Sequence, residues 1–228
     1  MKLTHEAFRG AIPKLSDALT ALDVLDDLGI KEFAALFSQF SVVHEEHAKA
    51  EDKVIFKEFN DYFKDHAKKW NDDHSEDHQK MMKWHETINV LLGHKDKSAK
   101  AEALRDLKAE LPGFFDHFLG HMRGEEDNLQ PIGRKHLPLE VTKQISRAVF
   151  HLSSAEMLEV ILPFVVNNVP RQQQRVRYLK CLCWSLPERS QQIGAIIYRN
   201  VDAVMWERIR VEIPEIVPRG EYNWRRYY

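Results

Sequence analysis

A helical apolar period runs through almost the whole chain and limits the possible folds more than any other feature. Residues 3–24 place Leu15, Leu19, Leu22 and Leu25 on one stripe. Residues 31–66 do the same with Phe33, Leu36, Phe37, Phe40, Val43, Val54, Ile55 and Phe59, and His47 falls on that stripe too. Residues 70–92, closed by Gly93, and residues 98–131, closed by Pro131-Ile132-Gly133, give two more such segments. Apolar residues recurring every three or four positions bury one face of a helix; a half-buried strand alternates every second residue, and no segment here reads that way. Pro13 and Pro112 predict kinks within the first and fourth segments. Nine glycines and nine prolines in 228 residues are too few for a turn-rich β protein. Four long helices with short connections predict an all-α fold, an up-down four-helix bundle, over residues 1–138.

The pattern changes at residue 139. "LEVTKQISRAVFHL", "SSAEMLEVILPFVVNNV", "RQQQRVRYLKCLCWSL" and "SQQIGAIIYRNV" are shorter and more apolar, and predict a C-terminal helical extension over residues 139–228. Ser153 with Glu156, and Ser185 with Glu188, have capping-box spacing, and Pro163 and Pro170 are expected to limit the second of these helices. Charge divides the same way, with a net −6 before residue 139 and +4 after it. The aromatic, basic end (Arg219, Tyr222, Trp224, Arg225, Arg226, Tyr227, Tyr228) has no helical period and reads either as a packed strap or as a docking tail.

Several classes fall away on composition. The net charge of −2 sets up no strong field toward nucleic acid, and no nucleic-acid motif is visible. No run of eighteen apolar residues exists, so no membrane span is expected, and "MKLTHEAFRG" lacks the apolar core of a secretory signal. Cys181 and Cys183, two apart on a helix, point to different sides and predict reduced core thiols rather than a mutual disulfide. A cytoplasmic or nuclear location is expected.

The chemistry-bearing residues are the histidines, of which all but His151 precede residue 140. Residues four apart on a helix differ by about 40° and share a face. His47 with Glu51, His74 with His78, His117 with His121, and His121 with Glu125 stand at that spacing, and His5 lies near the start of the first helix. Any one pair by itself reads first as a solvated or hydrogen-bonded surface group. The same donors on all four helices read as a metal site, because imidazole and carboxylate together suit iron, manganese or zinc.

"HEAFRGAI" at 5–12, "HAKAED" at 47–52, "HSEDH" at 74–78 and "HMRGEEDNLQPI" at 121–132 together resemble the hemerythrin (HHE cation-binding) family. The resemblance implies a centre of two non-haem irons bridged by carboxylate and oxygen, with O2 as ligand. It implies that His74, His78 and His121 hold one iron and His5 and His47 the other, with Glu51 and Glu125 as bridges. Glu126 beside Glu125 leaves the identity of the second bridge open, with Glu125 favoured because it shares the face of His121. His44, about 60° round from His47, belongs at the rim or beside the ligands; His117 is either an alternative to His121 or a hydrogen-bonding neighbour. His66, His85, His94, His136 and His151 have no ligand partner at helical spacing. Phe8, Leu15, Phe37, Phe40, Met82, Phe115 and Phe118 are candidates for a dry wall around the site.

The run "QISRAVFHLSSAEMLEVILPFVV" is similar to the segment that follows hemerythrin domains in BRUTUS-type iron-sensing ubiquitin ligases. Two cysteines cannot build the zinc modules or RING domain of those ligases, so a self-contained ligase is excluded and no enzymatic activity is assigned. The expected function is O2 binding, or the sensing of iron and oxygen in iron homeostasis. The alternatives are a carrier or store of O2 or iron, and an interaction module with a structural metal. A protein partner is expected on the C-terminal helices or tail.

Overall fold

The computed structural model describes residues 2–64, 67–93 and 96–218. His66, His94 and the tail from Arg219 lie outside them. The chain divides into two compact units, Arg9–Pro138 and Met1–Phe8 with Leu139–Tyr228. Among the described residues all regular structure is helical, as the apolar period requires.

Four rods make the first unit. Rod one is α1 (Lys2–Ala21), whose first residues belong to the other unit. Rod two joins α2 (Asp27–Ala50) to α3 (Phe56–Tyr62) through a π-helical turn, Glu51–Ile55. Rod three is α4 (Lys68–Gly93). Rod four joins α5 (Lys97–Gly124) to α6 (Gln130–His136) through a second π turn, Glu125–Leu129. The starts of α2 and α5 are fixed by Asp26, whose carboxylate accepts from the Gly29 N–H, and Asp96, which accepts from the Ser98 N–H. α1 and α5 continue through Pro13 and Pro112 rather than breaking there. Both prolines are exposed, so the carbonyl each leaves without its helical donor lies on the wet face. Leu25 is exposed, not part of the stripe, because α1 ends at Ala21 and the chain is already turning.

Cross-rod pairs give the topology. Glu51 meets His74, His44 meets Asp77, and Ser41 meets His85, so falling numbers on rod two meet rising numbers on rod three. The sequence His74–His121, Asp77–His117, Lys83–Glu110 does the same for rods three and four. Arg9 reaches Glu126, while Lys108 donates to the carbonyls of Thr20 and Leu22, so rods one and four are also antiparallel. The result is the up-down bundle.

The buried stripes step alternately by three and four residues. On α2 into the π turn they are Ile30, Phe33, Phe37, Phe40, His44, His47 and Glu51. On α4 they are Trp70, His74, Asp77, Met81, Trp84, Ile88 and Leu91, and on α5 they are Leu104, Leu107, Leu111, Phe114, Phe118, His121 and Glu125. An average step of 3.5 keeps one seam facing its neighbours, which is how nearly aligned helices pack.

The second unit gathers residues 2–8 with α7 (Leu139–Leu152), α8 (Ala155–Asn168), α9 (Gln172–Ser185), α10 (Ser190–Asn200) and α11 (Ala203–Glu212). Its core contains Leu162, Val165, Leu179, Ile193, Ile197 and Ile213, and Phe8 packs on Phe164 with ring centroids 5.4 Å apart. Gly194 is where the backbone comes closest: a β-carbon there would stand 1.6 Å from the Ile216 carbonyl oxygen. The caps differ from expectation. Ser154, not Ser153, accepts from the Met157 N–H, and Ser185 ends α9 instead of starting a helix. Pro163 is accommodated inside α8. Cys181 and Cys183 are both free, the first exposed and only the second buried. No single helix among the described residues is long and apolar enough to cross a membrane.

Candidate metal centre

The two π turns coincide with the two buried acids. Glu51 opens one and Glu125 opens the other, and both side chains are fully buried. A π turn inserts one extra residue into a helix and locally widens it. The buried stripe is re-phased just after each acid, resuming at Phe56 and Leu129. Each carboxylate therefore sits at the last stripe position before the shift, one turn beyond a buried histidine on its own rod.

Side chains from rods two, three and four thus converge on a small volume. His47 Nε2 lies 3.3 Å from Glu51 Oε1, His74 Nε2 lies 3.5 Å from Glu51 Oε2, and His121 Nε2 lies 3.4 Å from Glu125 Oε1. The Nε2 atoms of His74 and His121 are 3.1 Å apart. Glu51, His74, His121 and Glu125 each offer an atom within 4.8 Å of the others, and so, as a second set sharing the two acids, do His47, Glu51 and Glu125. A charge-assisted hydrogen bond between imidazole and carboxylate closes to about 2.7–2.9 Å. Atoms bound about 2.1 Å from a common cation stand instead about 3 Å or more apart. The observed separations are of the second kind, so this donor set fits metal-ion binding.

The outward nitrogens are held as well. His74 Nδ1 is 2.8 Å from Asp52 Oδ1, which also accepts from the Asn71 amide at 2.7 Å, and His121 Nδ1 is 3.2 Å from Asp73 Oδ2. A carboxylate on the far nitrogen fixes ring orientation and leaves Nε2 directed at the centre with raised basicity. Burial alone pulls the His74 imidazole down, but its bond to Asp52 and the nearby Glu51 and Asp52 carboxylates prevail and raise it to about 10. His121 is likewise raised, burial and the nearby His74 being outweighed by Glu125 and Glu51. Asp52 and Asp73 were not singled out by helical spacing. Their only sequence signal is adjacency, one following Glu51 and the other preceding His74.

Of the seven expected ligands, the bundle brings together His47, Glu51, His74, His121 and Glu125. His5 is fully buried on α1, in the segment grouped with the C-terminal unit. His78 does not join them. Its side chain is 60 % exposed and lies 3.4 Å from the exposed Glu45. The reason is the alternating step: Trp70 to His74 is four residues, so the next inward position is three on, at Asp77, and a residue four on faces water. Met82 fails as a wall residue for the same reason, being half exposed while Met81 is buried. Between the two acids on rod four, Glu125 faces His121, whereas Glu126 accepts from Arg9 at 3.0 Å. His44 is buried one turn from His47, stacks against Phe40 and meets Phe118 with tilted rings 4.8 Å apart. His85 bonds Ser41 at 2.8 Å, an ordinary core contact. A cavity of about 540 Å³ lies between α2 and α4, lined among others by Glu45, Asp52, His78 and His74, and gives one route from solvent to a candidate ligand.

A bundle whose inner seam carries paired His and Glu at this spacing defines a cation-binding four-helix protein. The family model described as hemerythrin HHE cation binding domain matches residues 1–132, and the chain belongs to that family. No curated protein and no solved structure matches the chain.

Proposed function

We propose that the chain holds two non-haem irons, bridged by Glu51 and Glu125, and that the loaded centre binds O2 and reports the availability of iron and oxygen. His5 and His47 would hold one iron and His74 and His121 the other. The observation that carries this reading is the burial of both acids against imidazoles from different rods. Such a site exists only when the rods converge, so loading and folding are linked: metal-free, the bundle loses what the cations contribute and offers a partner a different surface. With His78 outside, each half has two imidazoles, so neither iron is marked in advance as the one with the open position. Bound iron would supply the electrons for O2 binding; the chain's own part is to orient the imidazoles through Asp52 and Asp73 and to keep water out with Phe40, Phe56 and Phe118.

The C-terminal helices are proposed to serve as the reading surface for a protein partner; the 219–228 tail is the alternative contact. Metal analysis of aerobically purified protein, joined to visible spectra with and without air, tests the reading. Two irons per chain and a spectrum that changes reversibly when air is removed are expected. A spectrum blind to air would favour an iron store, and a colourless zinc protein would favour a purely structural metal. Removal of residues 219–228 with unchanged partner capture would assign docking to the helices instead.

A further inference from the structure

We propose that the cavity between α2 and α4 is the loading route of the buried centre, and that Glu45 and His78 at its outer end capture the incoming divalent cation. The inference rests on the metal reading of that centre. The cavity, about 540 Å³, is lined at one end by Glu45 and His78 and at the other by Asp52 and His74. Glu45 and His78 are exposed and His74 is buried, so the lining leads from solvent to a candidate ligand. Glu45 Oε1 and His78 Nδ1 stand 3.4 Å apart. A charge-assisted bond would close to about 2.7–2.9 Å, and an exposed ion pair adds little to stability. Little therefore holds the pair shut against an ion.

The two antiparallel rods build the route as a ladder. Glu45 meets His78 at one level, and Asp52 meets His74 at the next. Seven residues separate Glu45 from Asp52, a rise of about 10 Å. Between the two levels the lining is Ala48 and Ser75, whose side chains are too short to close the gap. The bonds of Asp52 to His74 Nδ1 and to the Asn71 amide both fall on Oδ1, which leaves Oδ2 to a passing ion. The other ring nitrogen of His74, Nε2, faces Glu51 in the centre.

One imidazole and one carboxylate suit a borderline divalent ion but leave most of its coordination positions to water. That makes the pair a transit stop and not a resident site, since the centre beyond offers four donors together. Lys49 and Lys53 also line the cavity. Lys49 is held by Glu46 at 2.8 Å, and the exposed Lys53 is screened by solvent. A residue on the route but outside the final site changes the barrier in both directions alike, because the end states stay the same. Its loss slows uptake and release by one factor and leaves affinity and stoichiometry unchanged.

Co2+ is the probe, because its visible absorption reports binding. Stopped-flow uptake by the metal-free full chain gives one direction. Release into chelator, at concentrations where the rate no longer depends on chelator, gives the other. Glu45→Gln and His78→Ala are expected to slow both by about tenfold, the lower end of what a charged cleft adds to encounter rates. Ala48→Leu fills the gap and is expected to slow both as well. Glu110→Gln, which removes an exposed carboxylate outside the cavity, is expected to keep wild-type rates. Should Ala48→Leu not fold, the variants at exposed Glu45 and His78 decide. Wild-type rates in both of those, equal slowing in Glu110→Gln, or fewer Co2+ bound per chain in Glu45→Gln or His78→Ala overturns the route and leaves the reading of the buried centre untouched. A wild type that takes up no Co2+ overturns the centre itself, and the route with it.

Discussion

Glu51→Gln is the most direct probe of the link between loading and folding. The substitution keeps the volume and removes the charge of a fully buried side chain that faces His47 at 3.3 Å and His74 at 3.5 Å. A ligand bound at one hundred times its dissociation constant stabilises the folded state by about 2.7 kcal/mol. Each kcal/mol moves the melting temperature of a chain this size by about 2–4 °C. Wild type should therefore melt about 5–11 °C higher with saturating Fe2+, under anaerobic conditions, than in chelator. Glu51 belongs to both donor sets, so its loss weakens both ions together, and losing even an outlying support costs roughly 10–100-fold in metal affinity. The metal-dependent shift in Glu51→Gln should shrink to about 0–5 °C. In chelator the variant should melt within a few degrees of wild type, because the amide fills the same space. Differential scanning calorimetry with and without chelator reads both quantities. A metal-dependent shift equal in variant and wild type would refute the assignment of Glu51 as a shared ligand.

Three further outcomes are expected. His78→Ala should leave metal content at the wild-type value and His74→Ala should lower it, as read by elemental analysis of desalted protein; equal losses would place His78 at the centre after all. The His74 imidazole is raised from its ordinary value of 6.5 to about 10 in the metal-free fold. Its contribution to metal-free stability is then fully present below pH 6.5 and lost as pH rises toward 10, while cation uptake, which must displace that proton, tightens over the same window; melting curves and metal titrations from pH 6.5 to 10 should move in these opposite senses. Gly194→Ala would drive a methyl group into the Ile216 carbonyl, 1.6 Å from the new β-carbon, and should cost about 1–3 kcal/mol or more, seen as a lower denaturant midpoint of the full chain with no change in metal stoichiometry.

Much of the molecule is legible without coordinates. The helical period fixed the class because an apolar face every three to four residues has no other way to be buried, and short connections between long helices leave few alternatives to an up-down bundle. His47, Glu51, His74, His121 and Glu125 stand out for an equally local reason: polar donors at inward positions need a partner that the apolar core cannot supply. What the sequence left undecided is phase. His74 has His78 four residues on and Asp77 three on, and either could face inward on an isolated helix. Only packing against rods two and four, which holds each seam to alternating steps of three and four, turns Asp77 in and His78 out. The choice between Glu125 and Glu126 waited on Arg9, more than a hundred residues away, and the orienting acids Asp52 and Asp73 acquire their role by reaching across from neighbouring rods. The π turns at Glu51 and Glu125 have no clear local signal, because the extra residue answers to where the other rods place their imidazoles. Periodicity is a property of one helix, whereas phase and coordination depend on several helices at once, and so only the tertiary structure decides them.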